Sequence, residues 1–290
     1  MRALLDHGYS VRAVVRSAAA ADRLRALGCD PALADAGNQA SLRAAFGDAQ
    51  AVVHLIGVLR PEGGLSVDQI NRGMTENAVR AAEEIGLGHF VFMSAVGSRP
   101  DTRSEYFRSK WGAEEAVRRS RVPHTIFRSS YMYGPGGDFI RLMANLTRLP
   151  IVPVVGRGRQ KVSPVYVGDN VACILKSLDN DSLRGTYETC GPDTVSFNEL
   201  IDAVAQALGR SRRPKLHLPA GLVRGVTGIG QALAPSLVPL TTDALDALLQ
   251  DNTCDRTPLA QAFEIEPTPL EEGLRRTFAS AARPGESQRT

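Results

Sequence analysis

The feature that most constrains the fold of this chain is the regular alternation of strand-like and helix-like segments over its first 130 residues. Short apolar runs such as "AVVHLIG" are each followed by a longer segment with helical periodicity. Parallel strands need a crossover between them and are buried on both faces, which makes their sequences continuously apolar. The alternation therefore predicts a doubly wound parallel sheet in an α/β fold. The predicted strands are 10–16, 32–34, 49–57, 89–97 and 124–130, and the predicted helices are 18–27, 38–46, 67–86 and 105–120.

The pattern changes after about residue 135. Glycine and proline cluster in "YGPGGDF", and from residue 195 onward the sequence is mostly helical with proline-rich connections. This change predicts a sheet domain over 1–194, a small and mainly helical C-terminal domain over 195–282, and a frayed tail over 283–290.

Composition narrows the class of protein. The chain has 290 residues, of which 43% are hydrophobic, enough for a sizeable core. Its net charge of +3 is modest and its basic residues are scattered, which argues against nucleic acid as a partner. The four cysteines form no CxxC pair and no histidine has metal-ligand spacing, so we expect no metal and ordinary reduced thiols.

No targeting or membrane-spanning segment is expected. Charged residues interrupt the start of the chain, and no stretch reaches the roughly 18 apolar residues that a transmembrane helix needs. The nearest candidate, 225–240, is too short and is broken by glycine and proline. We therefore expect a cytoplasmic protein, with peripheral association at the inner membrane and a protein partner as open alternatives.

Three polar side chains are candidates for chemistry at the carboxyl edge of the sheet. Ser94 ends a predicted strand, and Tyr106 and Lys110 lie one turn apart at the start of the next helix. A nearby ammonium would lower the pKa of a tyrosine, so that it can exchange a proton near neutral pH. The serine hydroxyl could hold a substrate oxygen. The three residues are thus predicted to assist hydride transfer at a carbonyl or an alcohol.

Because it contains Ser94, Tyr106 and Lys110 in this arrangement, the sequence resembles the extended and atypical branches of the short-chain dehydrogenase/reductase (SDR) superfamily. The stretches "INRGMTENAVRAAEEIGLGHFVFMSAVG", "FRSSYMYGPG" and "VSPVYVGDNVACIL" are similar to family segments. The tail "PLTTDALDALLQDNTCD…FEIEPTPLEEGLRRTF" resembles the atypical branch related to an accessory subunit of respiratory complex I. The resemblance implies a Rossmann-type fold and a nicotinamide cofactor.

The resemblance also implies which residues contact that cofactor. Arg16 follows the second family strand, where a basic residue favours the 2′-phosphate of NADP over the free ribose of NAD. Asp35 resembles the acidic residue near the adenine. Completing the expected set are Leu55, Ile56, Gly57, Tyr106, Lys110 and Tyr131.

Two departures from the family pattern modify these expectations. Ser129 stands where the family usually has proline, and no TGxxGxxG loop is present before the segment "RALLDHGYSV". That loop binds the pyrophosphate, so we expect cofactor binding by the chain as written to be weakened or lost. The first family strand is missing with it, and we expect it to be encoded upstream of Met1. Its absence should leave a slot in the sheet.

Two functions from different classes remain open. The first is an NADP-dependent oxidoreductase or epimerase-like enzyme that acts on an unknown, lipophilic substrate. The second is a non-catalytic NADPH-binding accessory or assembly protein related to complex I subunits. The short loop between Ser94 and Tyr106 argues against the interpretation of this chain as a nucleotide-sugar epimerase.

Overall fold

A computed structural model describes residues 1–233 and 241–281, the side chains of 229–233, 280 and 281 excepted. The helices are α1 (Arg2–Asp6), α2 (Ala18–Arg25), α3 (Gln39–Phe46), α4 (Met74–Glu84), α5 (Glu105–Arg119), α6 (Asp138–Leu146), α7 (Val167–Asp179), α8 (Phe197–Ala207), α9 (Ala220–Leu233), α10 (Thr242–Leu248), α11 (Thr257–Phe263) and α12 (Leu270–Ala281). The strands are β1 (Arg12–Val15), β2 (Asp30–Leu33), β3 (Ala51–His54), β4 (His89–Ala95), β5 (His124–Ser129), β6 (Met132–Tyr133), β7 (Val152–Val155), β8 (Lys161–Val162), β9 (Val165–Tyr166), β10 (Gly185–Thr189), β11 (Val195–Ser196) and β12 (Lys215–Leu218).

The central sheet is parallel, as the alternating sequence predicts. Its strand order is β10-β5-β4-β3, and every pair runs parallel. Side chains alternate between two hydrophobic clusters, one on each face. Phe90, Phe92 and Ile126 pack with α3, α4 and α5, whereas Val91 and Phe127 pack with α7 and α11. The predicted α/β fold with helices on both faces is confirmed.

Strands β1 and β2 form a separate two-stranded sheet. The two strands pair with each other in parallel, with Val14 opposite Ala32. Within the described residues, no strand pairs with the remaining edge of β1 or with the outer edge of β3. Both of these edges are therefore unpaired among the described residues, and the slot between them stays a prediction.

The predicted helix over 67–86 differs from the structure at its start. A π-helical turn spans Gln69–Gly73 and precedes α4. Such turns widen the helix by one residue and recur at functional sites. Here the turn contains Asn71, which is fully buried.

A third hydrophobic cluster lies in the C-terminal part of the molecule. Helices α6, α8 and α12 pack around the short β strands, with Leu200, Val204 and Leu274 almost completely buried. Ser196 begins α8 with a capping box in which its side chain and that of Glu199 each bond the other's backbone amide. A helical C-terminal part is thus present, while the domain boundary at 194 stays a prediction.

The expectation of four ordinary thiols is wrong. Cys190 and Cys254 form a disulfide with their Cα atoms 6.1 Å apart, and Cys29 and Cys173 are free and buried. The pair is 64 residues apart. Spacing rules detect local cysteine motifs and cannot see a contact that the tertiary fold creates.

Candidate active site

Lys110 joins the carboxyl ends of two neighbouring strands. Its Nζ donates hydrogen bonds to the carbonyl oxygens of Ile56 and Met93, each at 3.0 Å, and lies 5.0 Å from the centre of the Phe92 ring. The side chain is 3% exposed. Burial lowers the pKa of Lys110 to about 8, and the charge of Glu114 opposes that shift. Fixed backbone oxygens therefore hold a cation at the edge of the sheet where ligands of this fold bind.

Gly57 makes room for this lysine. A Cβ atom at Gly57 would lie 2.7 Å from Nζ of Lys110 and 3.8 Å from Oδ1 of Asn71. Asn71 fixes the same loop from the π-helical turn, because its amide bonds both the N–H and the carbonyl of Val58 and also reaches Oγ of Ser109. The loop after β3 is thus held from two sides.

Tyr106 lies in the first turn of α5 and packs with Ala95, Phe107 and Ala247. Burial raises its pKa to about 12. The prediction that Lys110 lowers the pKa of Tyr106 is therefore wrong in this structure, where the lysine ammonium bonds backbone carbonyls. The phenol keeps its proton throughout the neutral range.

Helix α10 supplies a carboxylate to the start of α5. The oxygens of Asp243 accept hydrogen bonds from Oγ of Ser104 at 3.1 Å, from the amide of Glu105, and from the amide of Tyr106 at 3.1 Å. An anion at a helix N-terminus satisfies unpaired amides and interacts favourably with the helix dipole. Asp243 is 137 residues from Tyr106, and the sequence analysis missed it because no local signal marks it.

Tyr131 lies beneath the same helix. Its hydroxyl donates to the carbonyl of Ala247 at 3.3 Å, its amide donates to Oδ1 of Asn252 at 3.1 Å, and its ring stacks on Phe139 at 4.9 Å. Burial raises the pKa of Tyr131, and Tyr106 adds to that shift. The structure therefore brings the two candidate tyrosines together under α10.

The Ser94 hydroxyl has partners that sequence reasoning missed. It donates to Oε1 of Glu114 at 2.5 Å and lies 3.3 Å from Oγ of Ser98. Glu114 is fully buried and accepts two bonds from Arg128, at 2.9 and 2.7 Å, and one from Arg118. The only sequence signal for Glu114 is its position one turn after the candidate lysine. The convergence of Ser94 with the tyrosine and lysine on one cleft stays a prediction.

The remaining candidate cofactor residues follow the ends of three strands. Arg16 comes after β1, with its side chain 72% exposed and 3.8 Å from Glu62. Asp35 comes after β2 and accepts a bond from the amide of Gly37 at 2.9 Å. Leu55 comes directly after β3 and is 62% exposed. Their binding roles stay predictions.

Comparison with known proteins identifies the family. Residues 1–147, half of the chain, match the family described as NAD(P)H-binding. The chain belongs to the NAD(P)H-binding family. The NAD-bound UDP-glucose 4-epimerase of Thermus thermophilus has the same fold, with a TM-score of 0.71, 18% identity, and coverage of 97% of this chain and 94% of the epimerase. The family match confirms the nicotinamide-binding class that the sequence resemblance implies, and the epimerase confirms the Rossmann-type fold.

Two relatives of this family member have different roles. The mitochondrial NADH dehydrogenase [ubiquinone] 1 alpha subcomplex subunit 9 of Arabidopsis thaliana is 30% identical over 172 residues, which are 58% of this chain and 43% of the plant protein. The chain thus spans less than half of that subunit. The ceramide reductase of Caulobacter vibrioides is 27% identical over 216 residues, 73% of this chain and 67% of the reductase.

The described residues suit a nicotinamide dinucleotide. Leu55 leaves an apolar surface exposed at the carboxyl edge of the sheet, which a planar ring can cover. Arg16 leaves an exposed cation at the end of the neighbouring strand pair, which a phosphate can meet.

Proposed function

We propose that this protein is an NADP(H)-dependent oxidoreductase that reduces a carbonyl group on a lipophilic substrate. The observation that carries the proposal is the fixed Lys110 ammonium at the carboxyl ends of β3 and β4, one helical turn from Tyr106. Ligands of doubly wound sheets bind at this edge.

The protonation state of Tyr106 is the one that reduction requires. A bound NADPH would supply the hydride. Tyr106, with its pKa raised to about 12, holds a proton that it can donate to the substrate oxygen as negative charge develops there. Lys110 fixes the loop after β3 and the end of β4 around that position. Tyr106 acts as the general acid, and Lys110 organises the site.

The apolar surroundings of Tyr106 support a lipophilic substrate. Tyr106 packs with Ala95, Phe107 and Ala247, and Tyr131 stacks on Phe139 nearby. Apolar side chains of this kind favour an aliphatic or aromatic substrate. The similarity to a ceramide reductase supports the same class.

The preference for NADP rests on Arg16. Its guanidinium is exposed, and its only described ion-pair partner is Glu62, at the long distance of 3.8 Å. Exposed pairs of this kind contribute little, so the cation is available to a 2′-phosphate. Because cofactor binding by the chain as written is expected to be weakened or lost, the cofactor and turnover measurements use the chain preceded by a strand and a TGxxGxxG loop. In that protein, Arg16→Ala should weaken NADPH binding about tenfold and leave NADH binding unchanged. Arg25→Ala, which removes another exposed arginine paired with an aspartate, is the matched control. Equal loss of both cofactors would contradict the assignment.

A second candidate function is a non-catalytic NADPH-binding accessory protein. The commitment of the Ser94 hydroxyl to Glu114 favours it, because a serine that holds a substrate oxygen needs a hydroxyl free to donate. The similarity to a complex I subunit supports the same class.

Turnover distinguishes the two. NADPH oxidation should be measured with a long-chain ketone and, separately, with a UDP-sugar. Tyr106→Phe should abolish turnover while calorimetry shows NADPH binding retained. Tyr187→Phe, a half-buried tyrosine on β10, should behave like the parent protein. NADPH binding without turnover of either substrate, or turnover that Tyr106→Phe leaves intact, would overturn the enzymatic proposal.

A further inference from the structure

Helix α9 and the strand before it expose large apolar side chains. Leu222 and Val226, one turn apart on α9, are 62% and 64% exposed, and Leu216 of β12 is 54% exposed. The inner face of α9 contacts the rest of the protein, because Thr227 is buried and Arg224 pairs with Asp246 of α10. The outer apolar face lacks a partner among the described residues. We call Leu222 and Val226 the α9 face.

The segment that carries the α9 face has basic residues and no acidic ones of its own. From residue 203 to residue 242 the sequence has no Asp or Glu, and its five basic residues are Arg210, Arg212, Arg213, Lys215 and Arg224. Arg212 and Arg213, directly before β12, are exposed and form no ion pair with any described residue. Lys215 and Arg224 pair with Asp202 and Asp246, so the cations of this segment that lack an ion-pair partner among the described residues are Arg210, Arg212 and Arg213.

Helix α9 is also poor in helix-forming residues. Four of its 14 residues are glycine, the least favourable residue in a helix after proline. A Cβ atom at Gly221 or Gly225 would meet nothing within 4 Å, so internal packing does not require glycine there. Most helical stability in proteins comes from burying one face of the helix. Burial of the outer face of α9 against a partner would therefore stabilise this helix further.

We propose that the α9 face docks on the surface of an anionic lipid membrane. Leu222 and Val226 would enter the interface between headgroups and acyl chains, and Arg212 and Arg213 would lie at the level of the headgroups. An amphipathic element with basic residues beside an apolar face binds a membrane in this way. Exposed Arg212 and Arg213, which form no ion pair with any described residue, favour an anionic lipid surface as the occupant. No helix in residues 1–233 and 241–281 is long and apolar enough to span the membrane, so docking is peripheral. This inference is independent of the proposed catalysis.

The test is sedimentation of the full chain with lipid vesicles. Vesicles of equal parts phosphatidylglycerol and phosphatidylcholine should bind the protein, and vesicles of phosphatidylcholine alone should bind it weakly. The double substitution Leu222→Asp/Val226→Asp should lower the partition coefficient on the order of 100-fold, since two apolar side chains no longer leave water. Arg212→Gln/Arg213→Gln should lower binding to the anionic vesicles and reduce its sensitivity to salt. Leu33→Asp is the matched control, because Leu33 is 63% exposed and lies on β2.

Each outcome decides the proposal. Folding of the variants is checked by thermal unfolding, and the substituted side chains are exposed, so the parent transition should be retained. Binding that needs anionic lipid, is lost in the α9 double variant and persists in Leu33→Asp supports docking. Absence of binding, or equal binding by the α9 double variant, overturns it. Dimerisation without vesicle binding, seen by ultracentrifugation and lost in the α9 double variant, also overturns it and assigns the face to a second copy of the chain.

Discussion

Replacing Gly57 by alanine tests the packing of the candidate lysine directly. The added Cβ would lie 2.7 Å from Nζ of Lys110, closer than real Cβ contacts, and a tight 3.1 Å from its Cε. The lysine side chain is flexible, but its Nζ bonds the carbonyls of Ile56 and Met93, so moving it away from the new methyl group weakens those bonds. The backbone of Gly57 does not have the positive φ that alanine avoids, so the strain comes from this contact.

The expected cost follows from those two bonds. A hydrogen bond from a charged donor contributes about 1.5–3 kcal/mol. Against this, replacing glycine by alanine stabilises by about 0.4–1 kcal/mol because the unfolded chain loses freedom. Partial retention of one bond brings the net loss in the free energy of unfolding for Gly57→Ala to about 2–4 kcal/mol. In a Lys110→Ala background the contact is gone, and the same substitution should be neutral or stabilising by up to about 1 kcal/mol.

Urea denaturation of the four proteins gives the coupling energy of the pair. We expect it to exceed about 2 kcal/mol, in the range for residues in contact. An equal effect of Gly57→Ala in both backgrounds would refute the reasoning. So would a loss below about 0.5 kcal/mol in the parent chain, which is typical of a surface substitution.

Three further predictions concern stability. Glu114→Gln breaks a fully buried carboxylate–arginine cluster and should lower the free energy of unfolding by about 3–5 kcal/mol. Glu115→Gln, at a partly exposed neighbour, should lower it by less than about 1 kcal/mol. Similar losses for the two variants in urea denaturation would refute the role of burial. Burial lowers the pKa of His54 from 6.5 to about 3, so between these pH values the unfolded chain binds a proton that the folded chain does not. The free energy of unfolding should therefore fall by about 1.4 kcal/mol for each unit by which the pH falls in this range. His54→Gln should make the stability profile from pH 6 to 4 less steep, and an unchanged slope would contradict this. Reduction of the Cys190–Cys254 disulfide, which closes a 64-residue separation, should lower the free energy of unfolding by up to about 4 kcal/mol, and a Cys190→Ser variant with the stability of the parent would count against it.

The sequence predicted the parts of the fold that local patterning determines. The strand over 89–97 is recognisable because β4 is buried on both faces and its sequence is continuously apolar. The start of α5 is recognisable from Ser104, which caps it, and from the periodicity that follows. The same patterns place Tyr106 and Lys110 one turn apart at the correct edge of the sheet.

The missed features all depend on contacts between distant parts of the chain. Asp243 meets Tyr106, and Cys190 meets Cys254, only after the C-terminal segments have folded against the sheet domain. The pKa of Tyr106 has the same origin, because its burial involves Ala247 of α10. Local spacing suggests a tyrosine made acidic by a lysine; the tertiary surroundings produce a tyrosine that retains its proton.

The carboxylate of Asp243 also makes the first turn of α5 a reporter of C-terminal docking. The amides of Glu105 and Tyr106 have no partner within their own helix and are satisfied by Asp243 alone among the described residues. In hydrogen–deuterium exchange their protection should therefore last only while α10 is in place, although the centre of α5 is held by the core. If α10 opens locally, the hydrogens of these two amides will exchange at the rate at which the C-terminal segment opens. They will not follow the slower exchange of the rest of α5. The residue proposed to deliver the proton would then share its dynamics with a helix more than 130 residues away in the sequence.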